Sequence, residues 1–296
     1  EYFYWDYVFG IVLCALFFAF TLGSHGENGR SFLTDLRQAD FSSIGSALLG
    51  GIIFNASNIL LSAAIAVCGM SVAFPVGVGL ALVLGVIINY IGEAKGNPIF
   101  IFIGVFLITI AIILNGIAYK KASVDNKKVS VKGLTLAISA GFIMAFFYRF
   151  VAASIDLTSF EHPAAGKMTP YTAVFIFSLG ILASNFLFNT IAMKHPVEGK
   201  AIPISGYFKG RAITHLVGLL GGIIWCVGQS FSMIASEKAG AAISYGLGQG
   251  ATLVSALWGI LIWKEFKGAT PICRILNMCM FILFLIGLYC LIYAGA

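Results

Sequence analysis

The stretch Gly50-Gly51-Ile52-Ile53-Phe54 returns at an offset of 171 as Gly221-Gly222-Ile223-Ile224-Trp225. The correspondence runs without a gap from 50–91 to 221–262 and gives 11 identical residues in 42 positions. Shared apolar composition alone would give roughly four identities. Because the repeated sequence is strongly hydrophobic, it indicates a duplicated membrane unit, which is typical of transporters that work by alternating access.

The composition of the 296 residues is that of a membrane protein, with 59% hydrophobic residues, 10% charged residues and a mean hydropathy of +0.97. Apolar runs of about 20 residues, long enough to cross a bilayer, occur throughout the chain. They lack the apolar–polar alternation of a spanning strand, so they favour helices over a barrel. We predict an all-α polytopic protein with nine transmembrane helices, at 7–24, 45–68, 71–92, 98–119, 133–154, 169–190, 212–235, 240–263 and 272–294.

The two copies of the repeat are predicted to cross the membrane in opposite directions. The spans at 45–68 and 212–235 are five helices apart, and an odd number of crossings inverts the second copy. Two inverted five-helix repeats need ten helices. The second copy begins near Lys132, so the offset of 171 places the start of the first before Glu1, and we expect a further N-terminal helix there. The predicted division is a first repeat at 1–119, a linker at 120–132 and a second repeat at 133–296.

The net charge of +6 reflects membrane topology rather than nucleic-acid binding, because the basic residues lie in loops between spans. Twelve Lys and Arg residues fall on the side that holds 120–132, and six fall on the other side. Positive charge retains loops in the cytoplasm. We therefore predict that 120–132 is cytoplasmic in a multi-pass protein of the plasma or inner membrane, and that the C-terminus lies outside.

Polar side chains within the spans are candidates for contacts with a water-soluble substrate, since unpaired polar groups are costly in the membrane. Asn55 and Asn58 lie one turn apart on one face of a helix. The repeat places Cys226 and Gln229 at the equivalent positions and matches Phe54 with Trp225. An aromatic plane beside amide groups suits a planar polar solute, such as a heterocycle or a sugar.

The segments 69–79 and 240–250 are rich in glycine in both copies, and the first contains a proline. Such a backbone can kink or unwind, and interrupted helices at matching positions of two halves point to a transporter site. The alternative is close helix packing on small residues. We predict hinges at Pro75, Gly77, Gly79, Gly246, Gly248 and Gly250. We predict substrate contacts at Phe54, Asn55, Asn58, Trp225, Gln229, Tyr245 and Gln249, all converging on one central cavity.

Other polar residues have plainer interpretations. Asn89, Asn115, Asn185 and Asn189 favour interhelical hydrogen bonds over ligand contacts, and Asp6, Glu237 and Glu265 are expected to be solvated at span ends. The related loops 25–44 and 191–211 favour solvated connectors, and short amphipathic or re-entrant segments are the alternative. No carboxylate lies deep in a predicted span, so coupling to H⁺ or Na⁺ stays open.

No enzymatic chemistry is predicted. The six cysteines form no CxxC pair and the four histidines lack ligand spacing, so we expect neither a metal nor a cofactor. The nucleotide-binding and hydrolase motifs GxxxxGK[ST], GxSxG and HExxH are missing from the sequence. The alternative from a different class is a structural or lipid-handling membrane protein without transport activity, which would not need matched polar and interrupted segments in both halves.

Several longer motifs resemble the plant ureide permease family and its microbial relatives, in the drug/metabolite transporter superfamily. They lie at 3–7, 29–32, 50–55, 69–77, 244–250 and 263–266. The resemblance implies ten helices in two inverted five-helix repeats. It also implies a secondary transporter that imports ureides or nucleobases such as allantoin and uracil, with protons. The microbial relatives are similar to sugar porters, so a sugar porter and a multidrug or metabolite exporter remain alternatives. The partners implied are a small-molecule substrate and membrane lipid, and homo-oligomerisation stays open.

Overall fold

The structure is a computed structural model that describes residues 1–24, 30–122, 130–264 and 266–295. Among these residues, eight helices are long and apolar enough to cross a membrane. The prediction of an all-α polytopic membrane protein is therefore confirmed. The helices of the first half are α1 (Tyr2–Phe20), α2 (Phe32–Gln38), α3 (Phe41–Cys68), α4 (Met70–Ala73), α5 (Gly79–Gly92) and α6 (Pro98–Ala122). Those of the second half are α7 (Val131–Ser154), α8 (Pro170–Lys194), α9 (Ala212–Ala239), α10 (Ala241–Gly248), α11 (Ala251–Leu261) and α12 (Pro271–Ala294).

The count of uninterrupted spans differs from the predicted nine because the span at 240–263 is broken. Helix α10 ends at Gly248, and α11 begins at Ala251. Between them, Gln249 has φ −79° and ψ 0°, which is outside the helical region. The corresponding stretch of the first copy stays continuous, since a π-helical turn at Phe74–Val78 joins α4 to α5.

The helices form two compact units. Unit 1 consists of Glu1–Ala56 and Phe147–Glu237, and unit 2 consists of Ser57–Phe146 and Lys238–Ala296. Helices α3 and α7 contribute to both units, and each unit contains helices from both predicted repeats. The division into repeats at 120–132 stays a prediction, and 123–129 lie outside the described residues.

Unit 1 is built on close helix crossings at glycines. Helix α3 meets α8 where a Cβ on Gly51 would overlap the carbonyl oxygen of Phe177, and a Cβ on Gly180 would overlap that of Leu48. Because glycine lacks a Cβ, the two backbones can approach to direct contact. Any larger residue at these positions would force α3 and α8 apart.

A second crossing in unit 1 reproduces the first between α1 and α9. A Cβ on Gly222 would overlap the carbonyl oxygen of Tyr7, and a Cβ on Gly10 would overlap that of Leu219. The α9 residues follow their α3 counterparts at an offset of 171, and the α8 residues follow their α1 counterparts at an offset of 170. The same pair of contacts therefore occurs twice, with α1 in the place of α8 and α9 in the place of α3.

Unit 2 contains a matched pair of helix starts. Gly69 precedes α4 with φ 84° and ψ 161°, and Gly240 precedes α10 with φ 85° and ψ 156°. Side-chain-bearing residues rarely adopt this positive φ, whereas glycine adopts it without steric cost. The two identical glycines of the repeat thus hold the same unusual backbone conformation.

The related loops each carry a short helical segment rather than a purely extended connector. Helix α2 lies in the first loop, and a 3₁₀ segment at Ile204–Lys209 lies in the second. Residues 25–29 of the first loop lie outside the described part of the chain. Both segments belong to unit 1.

Candidate substrate-binding site

Four aromatic side chains cluster in unit 1 around the matched pair Phe54 and Trp225. Their ring centroids are 4.4 Å apart. Phe177 stacks on Trp225 at 6.0 Å with an interplanar angle of 21°, and Phe147 meets Phe54 edge-on at 5.2 Å. The three phenylalanines are buried, whereas Trp225 is half-buried. The cluster therefore leaves the indole as its accessible aromatic member.

Gln229 lies one turn after Trp225 on α9, so both side chains lie on one face of that helix. Its amide nitrogen Nε2 is buried and has no hydrogen-bond partner among the described residues. Buried polar atoms without a partner are uncommon, and each such atom calls for an explanation. A half-buried indole next to an amide donor is an arrangement that can hold a planar solute carrying a carbonyl oxygen.

Asn55, for which a substrate contact is predicted, is hydrogen-bonded at both ends of its side-chain amide. The Tyr4 hydroxyl donates to Asn55 Oδ1 at 2.9 Å, and Asn55 Nδ2 donates to Ser184 Oγ at 2.9 Å. Both ends of the buried amide are thus engaged, and the network joins α1, α3 and α8. The repeat places Cys226 at the position equivalent to Asn55 and Cys14 at the position equivalent to Ser184. The two thiols also form a side-chain contact.

Asn185 is a candidate that the sequence analysis assigned to helix packing. It is buried on α8, next to Ser184. In the part of the chain that the structure describes, neither its amide nitrogen nor its carbonyl oxygen has a partner. An unpaired buried amide is costly, so a ligand could satisfy it. The sequence carried only a weak signal, because an intramembrane asparagine more often bonds a neighbouring helix.

The remaining predicted contact residues lie in unit 2. Tyr245 is only 1% exposed, and its hydroxyl donates to the Ala81 carbonyl oxygen at 3.1 Å. Its ring lies against Gly85, where a Cβ would overlap it, so Tyr245 packs α10 onto α5. Asn58 is half-buried on α3, and Gln249 is half-buried at the break between α10 and α11.

The predicted hinge at Pro75 coincides with irregular backbone. Pro75 and Gly77 lie in the π-helical turn at 74–78, and Gly79 is the first residue of α5. Proline has no N–H, so it cannot donate to the Ser71 carbonyl oxygen one turn earlier. Asn115 Nδ2 donates to that oxygen instead, at 3.1 Å. The asparagine of α6 thus compensates for the hydrogen bond that the proline removes.

The predicted hinge in the second copy also lies at irregular backbone. Gly246 and Gly248 are in the last turn of α10, and Gly250 stands at the break before α11. Within unit 2, α5 packs on α10, and α11 packs on α4 and the π-helical turn. The two irregular helices of the repeat therefore contact each other.

The predicted contact residues are divided between the units, with Phe54, Asn55, Trp225 and Gln229 in unit 1 and Asn58, Tyr245 and Gln249 in unit 2. Their convergence on one cavity stays a prediction. Unit 1 has a cavity of about 600 Å³ with a mostly apolar lining, which includes Trp5, Phe186, Lys194, Tyr207 and Phe208.

The prediction that Asp6 is solvated at a span end is wrong. The side chain lies in the second turn of α1 and the residue is only 4% exposed. The carboxylate accepts hydrogen bonds from Tyr207 and pairs with His215. These partners lie about 200 positions away in the sequence, so local context gave no signal for them. Among the described residues, no group of three or more His, Cys, Asp or Glu side chains could hold a metal ion.

Comparison with known proteins places this architecture in a family. The family model described as ureide permease matches residues 3–132 and 120–294. The chain belongs to the ureide permease family. Ureide permease 1 of Arabidopsis thaliana is 24% identical over 344 residues, which cover 96% of this chain and 86% of that protein. Probable ureide permease A3 of Vigna unguiculata is 23% identical over 329 residues, which cover 89% and 87% respectively.

Family membership fixes the class of activity. This permease family protein is an integral multi-pass membrane transporter of a small molecule, and not an enzyme. The resemblance found from the sequence motifs is thereby confirmed. The two matched segments of the family model meet at 120–132, where the linker is predicted.

Proposed function

We propose that this protein carries a ureide, a nucleobase or a related planar heterocycle across the cell membrane by alternating access. The observation that carries the proposal is the α9 face formed by Trp225 and Gln229 in unit 1. The indole is half-buried, and the buried amide nitrogen Nε2 of Gln229 has no partner within residues 1–24, 30–122, 130–264 and 266–295. Ureides and nucleobases are flat and carry carbonyl oxygens, so stacking and one donated hydrogen bond would recognise both features.

Two further observations support alternating access. The glycine crossing of α3 with α8 occurs again between α1 and α9, as two inverted copies of one unit require. The two irregular helices pack against each other in unit 2, and backbone of this kind is typical of transporter sites. Both observations agree with the names of the relatives, which are ureide permeases.

The decisive experiment is uptake into proteoliposomes with labelled allantoin, uracil and glucose, measured with and without proton and sodium gradients. We expect uptake of at least one heterocycle and none of glucose. Gln229→Leu should lower heterocycle uptake by roughly 5- to 100-fold, because losing one buried hydrogen bond costs about 1–3 kcal/mol. The control is Gly228→Ala, since a Cβ there has no atom within 4 Å.

The outcomes separate the alternatives. Glucose uptake without heterocycle uptake would make the protein a sugar porter and would overturn the proposed substrate class. Heterocycle uptake that Gln229→Leu leaves at the wild-type level would remove Gln229 from the site. No transport of any probe by folded protein would contradict the proposed class of substrates as a whole.

A further inference from the structure

The two related loops of unit 1 are each pinned by one buried carboxylate. In the first loop, Asp35 Oδ1 accepts from Arg30 Nε at 3.1 Å. Asp35 Oδ2 accepts from the backbone N–H of Thr169 at 2.7 Å, just before α8 begins. Asp35 is fully buried. These bonds fasten α2 to the start of α8.

The second loop is anchored by the carboxylate of Asp6, which lies on α1. The Tyr207 hydroxyl donates to Asp6 Oδ1 at 2.5 Å, and Asp6 Oδ2 lies 2.8 Å from His215 Nδ1. The rings of Tyr207 and His215 meet edge-on at 4.7 Å. The Cβ of Asp6 lies close to Gly218, where an added Cβ would overlap it. The 3₁₀ segment at 204–209 is thus fastened to α1 and α9 through one carboxylate.

The two anchors differ in the chemistry of the cation. The guanidinium of Arg30 keeps its charge at every accessible pH, whereas an ordinary imidazole changes its charge between about pH 5 and 8. Burial, with the neighbouring Asp6, raises the pKa of Tyr207 to about 12. The hydroxyl therefore remains a donor across that range.

Other polar groups on the packed elements are engaged elsewhere or exposed. The Tyr2 hydroxyl donates to the Pro203 carbonyl oxygen. Lys209 and Arg211, which flank the start of α9, are exposed. His215 Nδ1 and Asp6 Oδ2 are 2.8 Å apart. The contact is an ion pair when the imidazole is protonated and a hydrogen bond from a neutral donor when it is not. Charge-assisted hydrogen bonds are about twice as strong as neutral ones.

We propose that Asp6, His215 and Tyr207 form a proton-binding site that holds the 204–209 segment most firmly when His215 is protonated. Ile204, Tyr207 and Phe208 also line the cavity of about 600 Å³ in unit 1. Proton binding at this site therefore sets the position of one wall of that cavity. The proposal does not depend on which substrate the protein carries.

Hydrogen exchange followed by mass spectrometry tests the site in the full chain reconstituted in nanodiscs. Protection is measured at pH 5.5 and pH 8 for 204–211 and for 32–39, each corrected for intrinsic exchange. We expect the protection of 204–211 to fall roughly tenfold at pH 8, since the charge assistance is lost. The control segment 32–39, anchored by Arg30, should keep the same protection at both values.

His215→Gln keeps a neutral donor beside Asp6, so it should abolish the pH dependence and leave protection near the wild-type value at pH 8. Tyr207→Phe cuts the link between segment and carboxylate, so its segment should exchange rapidly at both pH values. Equal protection of wild-type 204–211 at pH 5.5 and 8 would overturn the proposal. So would an unchanged pH dependence in either variant, and the wild-type comparison stands even if a variant does not fold.

Discussion

The polar residues in the spans fall into two groups, those whose side chains are hydrogen-bonded and those with buried polar atoms that lack a described partner. Asn55 has a partner at each end of its amide, so it holds helices together. Gln229 and Asn185 have buried atoms that no described residue bonds, which makes them the stronger candidates for contact with a transported solute. We therefore expect the same side-chain chemistry to serve stability at Asn55 and, under the proposed function, solute binding at Gln229.

Replacing Asn55 with Leu should destabilise unit 1 while leaving the Trp225 face in place. The substitution removes two buried hydrogen bonds, the one from Tyr4 and the one to Ser184, at a cost of about 1–2 kcal/mol. A lower thermal melting temperature in detergent would register the loss. Ser184→Ala should cost less, because the hydrogen bond from Tyr4 to Asn55 survives. Melting of Asn55→Leu at the wild-type temperature would contradict the structural role of the network.

At the scale of helices, a few glycines allow the backbones of neighbouring helices to come into direct contact. Gly51→Ala should destabilise the protein by about 1–3 kcal/mol, because the new Cβ would overlap the backbone of α8. The matched control on the same helix is Gly45→Ala, where a Cβ has no atom within 4 Å. That control should be neutral or stabilising by about 0.5–1 kcal/mol, since alanine favours helix over glycine. Unfolding in graded detergent mixtures would compare the two, and equal stabilities would refute the close crossing.

The irregular turn at 74–78 should matter for transport rather than for stability. Pro75→Ala restores an N–H that can donate to the Ser71 carbonyl oxygen, so α4 and α5 can join as one regular helix. We expect uptake to fall several-fold while the melting temperature stays level or rises. Pro98→Ala is the control, since proline in the first turn of a helix costs no hydrogen bond. Full uptake by Pro75→Ala would show that the irregular backbone has no part in the transport cycle.

At the scale of the whole molecule, the charge distribution predicts the orientation in the membrane. A cysteine at Asp125, in the linker outside the described residues, should resist an impermeant thiol reagent added to intact cells. A cysteine at Glu161, in the exposed loop between α7 and α8, should react readily. Both changes belong in a background lacking the six native cysteines. The reverse labelling pattern would invert the topology.

The sequence by itself determined the class of the protein and its internal duplication. Hydrophobic runs set the spans because the bilayer excludes unpaired backbone, which leaves helices as the structure for continuous apolar segments. The repeated glycines marked both matched helix starts, Gly69 and Gly240, because positive φ is a local property of the chain. Pro75 likewise predicted irregular backbone, and it lies in the π-helical turn at 74–78. The family motifs then pointed to ureide permeases, which the family match confirmed.

Only the tertiary structure decided which polar groups are satisfied. Asn55 and Asn185 look alike in the sequence, yet one is fully bonded and the other is not. Asp6 stands near the start of a span, where solvation is the natural expectation, but Tyr207 and His215 reach it from another part of the chain. Hydrogen-bond partners of this kind come from helices distant in sequence, so the packing, and not local propensity, decides whether a buried polar atom stabilises the fold or remains open to a ligand.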